Sequence, residues 1–406
     1  MFLSGAKTVR CQIFPQFIFN VINNVANIPR LTTASHQGGA VQQLDALLQR
    51  ALELGASDVH VESGAVSFRV RFRIDGRLQV AAQPPLSMRD AMVSRIKVLA
   101  RIDIAEKRLP QDGRLQYPYK NQTVDIRVSS LPTVHGEKMV LRLLNFNQER
   151  PTLADLGFDA EDEALLIKAI SRPHGMVLVT GPTGSGKTLS LYSCLEHLNR
   201  EDSNISCVED PCEIYLPGAN QVSINERAGL TFASALRALL RQDPDVIMVG
   251  EIRDAETAAI AIQAAHTGHL VLSTLHTNDA PSTLERLRHM GIAPFQVTSS
   301  LHMVVAQRLV RRLCVHCKKP SAESPVVYQP RGCAMCNAGY KGRIGIYQVM
   351  PISASLQQLI LQGGDAIRIK TQAQQEGMRS LREAGWRKVL QGVTSAQEVL
   401  ALTPDA

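Results

Sequence analysis

The sequence predicts an α/β protein in which a small α+β domain precedes a larger domain built on a parallel sheet. Three observations lead to this prediction. A phosphate-binding loop at residues 181–188 lies between an apolar run and a helical pattern. Strand and helix patterns alternate from about residue 155 to residue 310, as they do in a parallel sheet. Residues 41–144 contain successive runs of alternating polarity, which are typical of antiparallel strands.

The composition is that of a globular protein. Of its 406 residues, 45% are hydrophobic and 20% are charged, and no apolar run reaches the roughly 18 residues that a membrane-spanning helix needs. Pro15 and neighbouring asparagines interrupt the apolar start of the chain, so we expect no signal peptide. The net charge of +7 is small for this length and indicates scattered surface lysines and arginines rather than a dedicated anion-binding surface.

The small domain follows an irregular segment, residues 1–40, that has no periodicity. Leucines spaced by threes and fours between Val41 and Leu52 predict a helix. In residues 66–74, arginines alternate with apolar residues, which predicts a strand with one arginine face. Asp75-Gly76 predicts a hairpin turn directly after this strand. Further helix and strand patterns complete a predicted α+β domain at residues 41–144.

A polar stretch at 145–154 predicts a hinge linker, and the predicted P-loop domain, residues 155–310, follows it. The apolar run 176–180 predicts a buried strand that leads into the phosphate loop. Glycines in the loop let backbone N–H groups surround the phosphates of a nucleoside triphosphate, Lys187 bridges the phosphates, and the Thr188 hydroxyl ligates Mg²⁺. The predicted nucleotide contacts are Gly181, Pro182, Thr183, Gly184, Ser185, Gly186, Lys187 and Thr188.

Carboxylates end two predicted strands at the edge of the sheet where a nucleotide would bind. Glu209 follows the apolar run that begins at Ile205, and Glu251 follows the run that begins at Asp245. We assign Glu251 to Mg²⁺ and Glu209 to the attacking water, while the sequence leaves open which of the two is the general base. His276 follows a third strand, where a sensor of the γ-phosphate would lie, and is a further predicted catalytic residue.

Two C-x-x-C pairs mark residues 311–350 as a predicted zinc-binding subdomain. Fifteen residues separate the pairs, which is within the spacing of zinc knuckles. Four thiolates close a tetrahedral site, so the zinc would be structural. Paired cysteines of this kind also indicate a reducing compartment. After this segment, residues 351–406 form a predicted helical C-terminal region. The predicted zinc ligands are Cys314, Cys317, Cys333 and Cys336.

These segments resemble the motifs of secretion ATPases of the type II secretion and type IV pilus assembly class. The boxes of the family's ATPase domain occur in order: Walker A at 181–188, the aspartate box at 208–213, Walker B at 247–254 and the histidine box at 268–277. Three further segments resemble its amino-terminal, sensor-like domain: 57–60, 108–114 and 125–129. The resemblance implies a RecA-like P-loop NTPase domain preceded by a PAS-like α+β domain.

The resemblance also implies an activity, partners and further site residues. It implies a Mg²⁺-dependent ATPase that forms a homo-hexamer in the cytoplasm, peripheral at the inner membrane beneath an inner-membrane platform protein. Hydrolysis would drive type IV pilus assembly or type II protein secretion. Arg114 and Arg127 match motifs whose arginines face ATP in the family, and a neighbouring copy would supply them. Secretion and pilus-extension members carry a tetracysteine cluster, which supports the zinc prediction.

Two other functions are compatible with a phosphate loop. The basic charge and the zinc knuckle suggest a zinc-bearing nucleic-acid motor. Against this function, aromatic residues make up only 4% of the chain and do not alternate with basic ones, so we expect no stable nucleic-acid partner. A scaffold that binds nucleotide without hydrolysing it would retain the same fold. Turnover, and its response to DNA, would separate the three functions.

Overall fold

The chain folds around two large β-sheets, and the computed structural model describes residues 39–144, 151–322 and 324–403. The first sheet is built from residues before 145 and the second from residues after 150. Nearly all of the predicted irregular segment 1–40 lies outside the described residues. The same is true of residues 145–150, which make up most of the predicted hinge linker.

The first sheet has six antiparallel strands, in the order β3-β2-β1-β6-β5-β4. The elements of this part of the chain are α1 (Ala40–Glu53), β1 (Asp58–Ser63), β2 (Phe68–Ile74), β3 (Arg77–Ala82), α2 (Arg89–Ala100), β4 (Gln111–Tyr119), β5 (Gln122–Thr133) and β6 (Gly136–Leu144). Apolar residues of α1 and α2 form one core with one face of the sheet. The alternation predicted for β2 is confirmed, because Phe68, Val70 and Phe72 are buried while the intervening arginines are not.

The edge strand β4 was not predicted as a strand. Only Leu115 and Tyr117 alternate as buried residues in it, and apart from Tyr119 the other positions are polar, glycine or proline. Such a composition is possible because, within the described ranges, β4 pairs with β5 alone and its other edge has no strand partner. Pro118 donates no hydrogen bond and is tolerated at an edge for the same reason.

The second sheet has seven strands, in the order β15-β12-β7-β11-β10-β8-β9. Its strands are β7 (Gly175–Thr180), β8 (Ile205–Glu209), β9 (Asn220–Ser223), β10 (Val246–Val249), β11 (Leu270–Leu275), β12 (Leu301–Leu313) and β15 (Tyr340–Pro351). Its helices are α3 (Ala160–Ile170), α4 (Lys187–Leu198), α5 (Phe232–Leu239), α6 (Ala255–His266), α7 (Ala280–His289) and α8 (Pro294–Ser300). All pairings are parallel except that of β12 with β15. The four central strands β7, β8, β10 and β11 are buried at every position, as predicted for a parallel sheet.

The cysteine pairs lie in an insertion between β12 and β15. This insertion contains a two-stranded sheet of β13 (Lys319–Pro320) and β14 (Tyr328–Gln329). The main sheet therefore extends into the segment 311–350 that the sequence assigned to a separate cysteine subdomain. The C-terminal region is helical, with α9 (Ala354–Leu361), α10 (Ala366–Gln375), α11 (Leu381–Leu390) and α12 (Ala396–Leu402).

The turn between β2 and β3 contacts the C-terminal part of the chain. Arg77 Nη2 donates to Glu398 Oε1 at 2.9 Å, and Asp75 Oδ2 accepts from the backbone N of Gly342 at 3.1 Å. These bonds join two sheets that have separate apolar cores. Among the described residues, no helix has both the length and the apolarity required to cross a bilayer.

Candidate active site

The phosphate loop connects β7 to the start of α4, as predicted. Gly181, Gly184 and Gly186 all have positive φ, and a Cβ added at Gly181 would lie 2.6 Å from the carbonyl oxygen of Gln307. Lys187 Nζ donates to the carbonyl oxygens of Gly181 at 2.9 Å and Pro182 at 3.2 Å. Burial lowers the pKa of Lys187 to about 8. The loop therefore presents a buried amine that an anionic phosphate would stabilise in its charged form.

Two neighbouring residues of β12 that sequence reasoning missed support the site, one at the phosphate loop and the other at the segment after β11. Gln307 is fully buried, and its amide donates to the carbonyl oxygen of Ser185 at 2.7 Å and accepts from Ser190 Oγ at 2.8 Å. Arg308 Nη2 donates to the carbonyl oxygen of Asn278 at 2.9 Å. The Arg308 charge also contributes to the lowered pKa of Lys187, after burial. No sequence signal connects β12 to a loop more than a hundred residues earlier.

Glu209 and Glu251 lie together at the carboxyl ends of neighbouring strands. Strand β8 pairs with β10 so that Val208 lies opposite Val249. Glu209 directly follows Val208, and Glu251 follows Val249 after a single glycine. Both line one cavity of about 120 Å³, together with Thr188 of the phosphate loop. Asp210 and Glu213 line the same cavity. The structure thus brings together the loop and both acids that the sequence singled out.

Glu251 contacts an arginine and a histidine. Arg253 Nη2 donates to its Oε1 at 2.5 Å, and His276 Nε2 lies 3.3 Å from its Oε2. Burial alone would raise the pKa of Glu251, but the hydrogen bond and charge of Arg253, with His276, hold it below its usual value. His276 follows β11 and contacts this carboxylate, so it lies at the site where the sequence expected it.

Glu209 has the opposite environment. It is 4% exposed, and its Oε1 accepts a hydrogen bond from Tyr192 Oη at 2.7 Å. Burial raises the pKa of Glu209, and the hydrogen bonds from Tyr192 and Cys212 oppose this shift only in part. The two glutamates therefore differ in basicity, because Glu251 is paired with Arg253, whereas Glu209 is buried and its hydrogen-bond donors are neutral.

The predicted arginines lie opposite each other, since Arg114 of β4 pairs with Arg127 of β5. Burial lowers the pKa of Arg127 and the charge of Arg114 lowers it further, while Glu213 and Asp210 of the same chain oppose both. Arg127 Nε is buried without a hydrogen-bond partner among the described residues. Arg127 thus interacts electrostatically with acids that line the cavity of its own chain. That a neighbouring copy supplies the arginine stays a prediction.

The four predicted zinc ligands are gathered in one cluster. Their sulfur atoms all lie within 4.8 Å of one another, with Cys314 to Cys333 at 3.8 Å and Cys317 to Cys336 at 3.7 Å. A tetrahedral ion with metal–sulfur bonds of about 2.3 Å would separate its sulfur ligands by about 3.8 Å. The spacing of the thiols therefore matches a tetrahedral metal site.

Comparisons with known proteins agree with the motifs and the fold. The family model described as type II/IV secretion system protein matches residues 33–401. A type IV pilus assembly ATPase PilB from Acinetobacter baylyi is 49% identical over 384 residues, which cover 90% of this chain and 66% of that relative. A type II secretion system ATPase E from Vibrio cholerae is 46% identical over 90% of this chain and 76% of that protein.

The fold resembles a crystal structure of the pilus retraction motor PilT with bound ADP. The TM-score is 0.63 at 26% sequence identity, and the match covers 89% of this chain and 96% of that one. The predicted fold class and the family resemblance of the motifs are both confirmed by these matches. The chain belongs to the type II/IV secretion system protein family.

Proposed function

We propose that this protein is a Mg²⁺-dependent ATPase whose hydrolysis drives type IV pilus assembly or type II protein secretion. The observation that carries the proposal is the cavity shared by Thr188, Glu209 and Glu251 next to the phosphate loop. Relatives named as pilus assembly and secretion ATPases, together with ADP bound to PilT, support an adenine nucleotide as the ligand.

In this proposal the phosphate loop binds the β- and γ-phosphates. Lys187 would exchange its bonds to the loop carbonyls for bonds to phosphate oxygens, which would raise its pKa again. The Thr188 hydroxyl and the Glu251 carboxylate are oxygen donors on one cavity, which fits a Mg²⁺ ion. When bound, Mg²⁺ neutralises charge on the phosphate oxygens. Glu251 suits this role because its lowered pKa keeps it ionised.

Glu209 is the proposed general base. Its raised pKa makes it the better proton acceptor of the two glutamates. Glu209 would take one proton from the attacking water, whose oxygen forms a bond to the γ-phosphorus. The bond between that phosphorus and the β–γ bridging oxygen breaks, so ADP and inorganic phosphate leave. His276, beside Glu251, would sense the loss of the γ-phosphate.

Arg114 and Arg127 are the proposed cations that stabilise charge in the transition state. The unpartnered Nε of Arg127 near Asp210 and Glu213 supports this role. Such an arginine contributes about 10³–10⁵ in rate where it has been measured. Because both residues belong to the first sheet, movement of that sheet relative to the phosphate loop would switch hydrolysis on and off.

We infer that this movement is a domain rotation about the linker 145–154. The proposed units are a small domain at 41–144, a P-loop ATPase domain at 155–310, a zinc-binding subdomain at 311–350 and a helical region at 351–406. The two separate apolar cores and the few polar bonds between them support such a rotation. We further propose a homo-hexamer, cytoplasmic and peripheral at the inner membrane, that acts on an inner-membrane platform protein.

The tetracysteine cluster is proposed to hold one structural Zn²⁺. The thiol spacing supports a tetrahedral ion, and four sulfur ligands favour zinc over the harder Mg²⁺. The ion would fix the insertion between β12 and β15, because each C-x-x-C pair comes from a different end of that insertion. No catalytic step is assigned to it.

Hydrolysis assays with three variants test this function. Lys187→Ala should abolish turnover, and Glu209→Gln should lower kcat by about 10²–10⁴ while the Mg²⁺ concentration for half-maximal activity stays unchanged. Glu251→Gln should instead raise that Mg²⁺ concentration. Full activity of Glu209→Gln would refute its role as base. Turnover that requires DNA would favour the nucleic-acid motor, and a hexamer without turnover would favour the scaffold.

A further inference from the structure

Glu209 ends a chain of buried hydrogen bonds that begins on the edge strand β9. Tyr192 of α4 is fully buried, and its Oη donates to Glu209 Oε1 at 2.7 Å. Gln221 of β9 donates from its Nε2 to Tyr192 Oη at 2.8 Å. Among the described residues, no cation forms an ion pair with Glu209. Its orientation therefore depends on neutral donors, unlike that of Glu251.

Backbone groups determine which atom donates in each hydrogen bond from Gln221 through Tyr192 to Glu209. Gln221 Oε1 accepts from the backbone N of Leu216 at 2.9 Å, and Gln221 Nε2 donates to the carbonyl oxygen of Ile214 at 2.8 Å. These two bonds fix which end of the amide is nitrogen. The remaining N–H of Gln221 therefore points at Tyr192 Oη. The phenol must accept this bond, so its own proton is directed at the Glu209 carboxylate.

The phenol keeps this proton at all relevant pH. Burial, followed by the negative charge of Glu209, raises the pKa of Tyr192 far above its usual value. The other titratable groups that interact with Glu209 or share its cavity are the thiols of Cys207 and Cys212 and the carboxyls of Asp210, Glu213 and Glu251, and none of them is a cation. Tyr192 is thus a permanent donor to one oxygen of the carboxylate.

We propose that Tyr192, oriented by Gln221, is a positioning residue that holds the Glu209 carboxylate toward the attacking water. The inference rests on the proposed role of Glu209 as the general base. A glutamate side chain has three rotatable bonds, and a buried base that rotates away from its water loses most of its effect. Tyr192 prevents this rotation from α4, the helix that begins at Lys187, so the residue that positions the base and the phosphate-binding amine share one rigid element.

Replacing Tyr192 with phenylalanine removes one hydroxyl and keeps the buried ring. We expect kcat for ATP to fall about 10- to 100-fold, which is the effect of losing a hydrogen bond to a charged group. The KM for ATP and the Kd of a fluorescent ADP analogue should stay within about twofold, because neither reports the orientation of the base. Gln221→Leu should lower kcat less, since the phenol can still reach Glu209.

Tyr340 provides a matched control. Its ring is also buried, at 3% exposed, and its hydroxyl shares a hydrogen bond of 2.7 Å with Ser395 Oγ, away from Glu209. Tyr340→Phe should lower the thermal unfolding midpoint about as much as Tyr192→Phe does, while kcat stays unchanged. Equal losses of kcat in the two variants would overturn the proposal, because the loss would then follow from stability alone.

A double-mutant cycle separates this inference from the proposed function. If Tyr192 acts only through Glu209, then Tyr192→Phe should cause no further loss in a Glu209→Gln background, measured by single-turnover hydrolysis of radiolabelled ATP. Additive losses would overturn the positioning role and leave Glu209 as the base. Full turnover by Glu209→Gln alone would overturn the role of Glu209 as the base, and the positioning role with it, whereas no turnover by the unaltered protein would overturn the proposed function itself.

Discussion

Glu398 offers a direct test of how buried charge holds the C-terminal region to the sheet. Its carboxylate accepts from Arg311 Nη2 at 2.6 Å, from Arg77 Nη2 at 2.9 Å and from the backbone N of Arg311 at 3.3 Å. The Glu398 and Arg311 side chains are 4% and 11% exposed. Replacing Glu398 with glutamine keeps the size of the side chain and removes the charge.

The expected cost is about 3–5 kcal/mol in the free energy of unfolding, because Arg311 is left as an uncompensated buried cation. Arg311 also lies 3.9 Å from the ring of Tyr340, which keeps it in place after the change. Urea denaturation followed by circular dichroism measures this loss. A multidomain chain can unfold in stages, so the transition that shifts should be the one that reports the second sheet.

The pair of Arg237 with Glu256 is the matched control. Its N–O distance is also 2.6 Å, but its side chains are 53% and 59% exposed. Glu256→Gln should therefore cost less than about 1 kcal/mol. Equal costs for the two variants, or a cost below about 1 kcal/mol for Glu398→Gln, would refute the reasoning. That reasoning is that burial, rather than the N–O distance, decides how much an ion pair contributes to the free energy of unfolding.

Three further predictions follow. Burial alone would raise the pKa of Glu398, but Arg311 and Arg77 hold it below its usual value. The contribution of Glu398 to the free energy of unfolding is therefore present above about pH 4.5 and is lost as the pH falls below that value. Glu398→Gln should flatten the acid side of a plot of melting temperature against pH. Cys333→Ser should remove the bound zinc found by elemental analysis, whereas Cys194→Ser, outside the cluster, should leave one zinc per chain. Gly181→Ala should weaken ATP binding roughly tenfold or more in a titration, because its added Cβ would lie 2.6 Å from the carbonyl oxygen of Gln307. Gly268→Ala also has a positive φ, 119° against 149° at Gly181, but its Cβ meets no atom within 4 Å, so this variant should bind ATP normally.

The motifs and the strand periods could be read from the sequence because each is local. The phosphate loop, the acids at strand ends and the arginine face of β2 all depend on spacings within about ten residues. Parallel pairing then brings Glu209 and Glu251 together without further information, since both follow buried strands.

The residues that sequence reasoning missed depend on register between distant segments. Tyr192 reads as one more apolar residue of α4, and only the packing of α4 on the second sheet directs its hydroxyl at Glu209. Gln307 reads as a polar residue in a strand, and its role requires β12 to lie beside β7. The edge strand β4 has too few apolar residues to be recognised before its partner is known.

A crystal structure with Mg²⁺ and a non-hydrolysable ATP analogue would show whether Glu209 is the base. We expect Lys187 to contact the γ-phosphate and a water in line with the γ-phosphorus to lie within hydrogen-bond distance of Glu209, whose other oxygen still accepts from Tyr192. An in-line water held by Glu251 instead, with Glu209 turned away from the nucleotide, would contradict it.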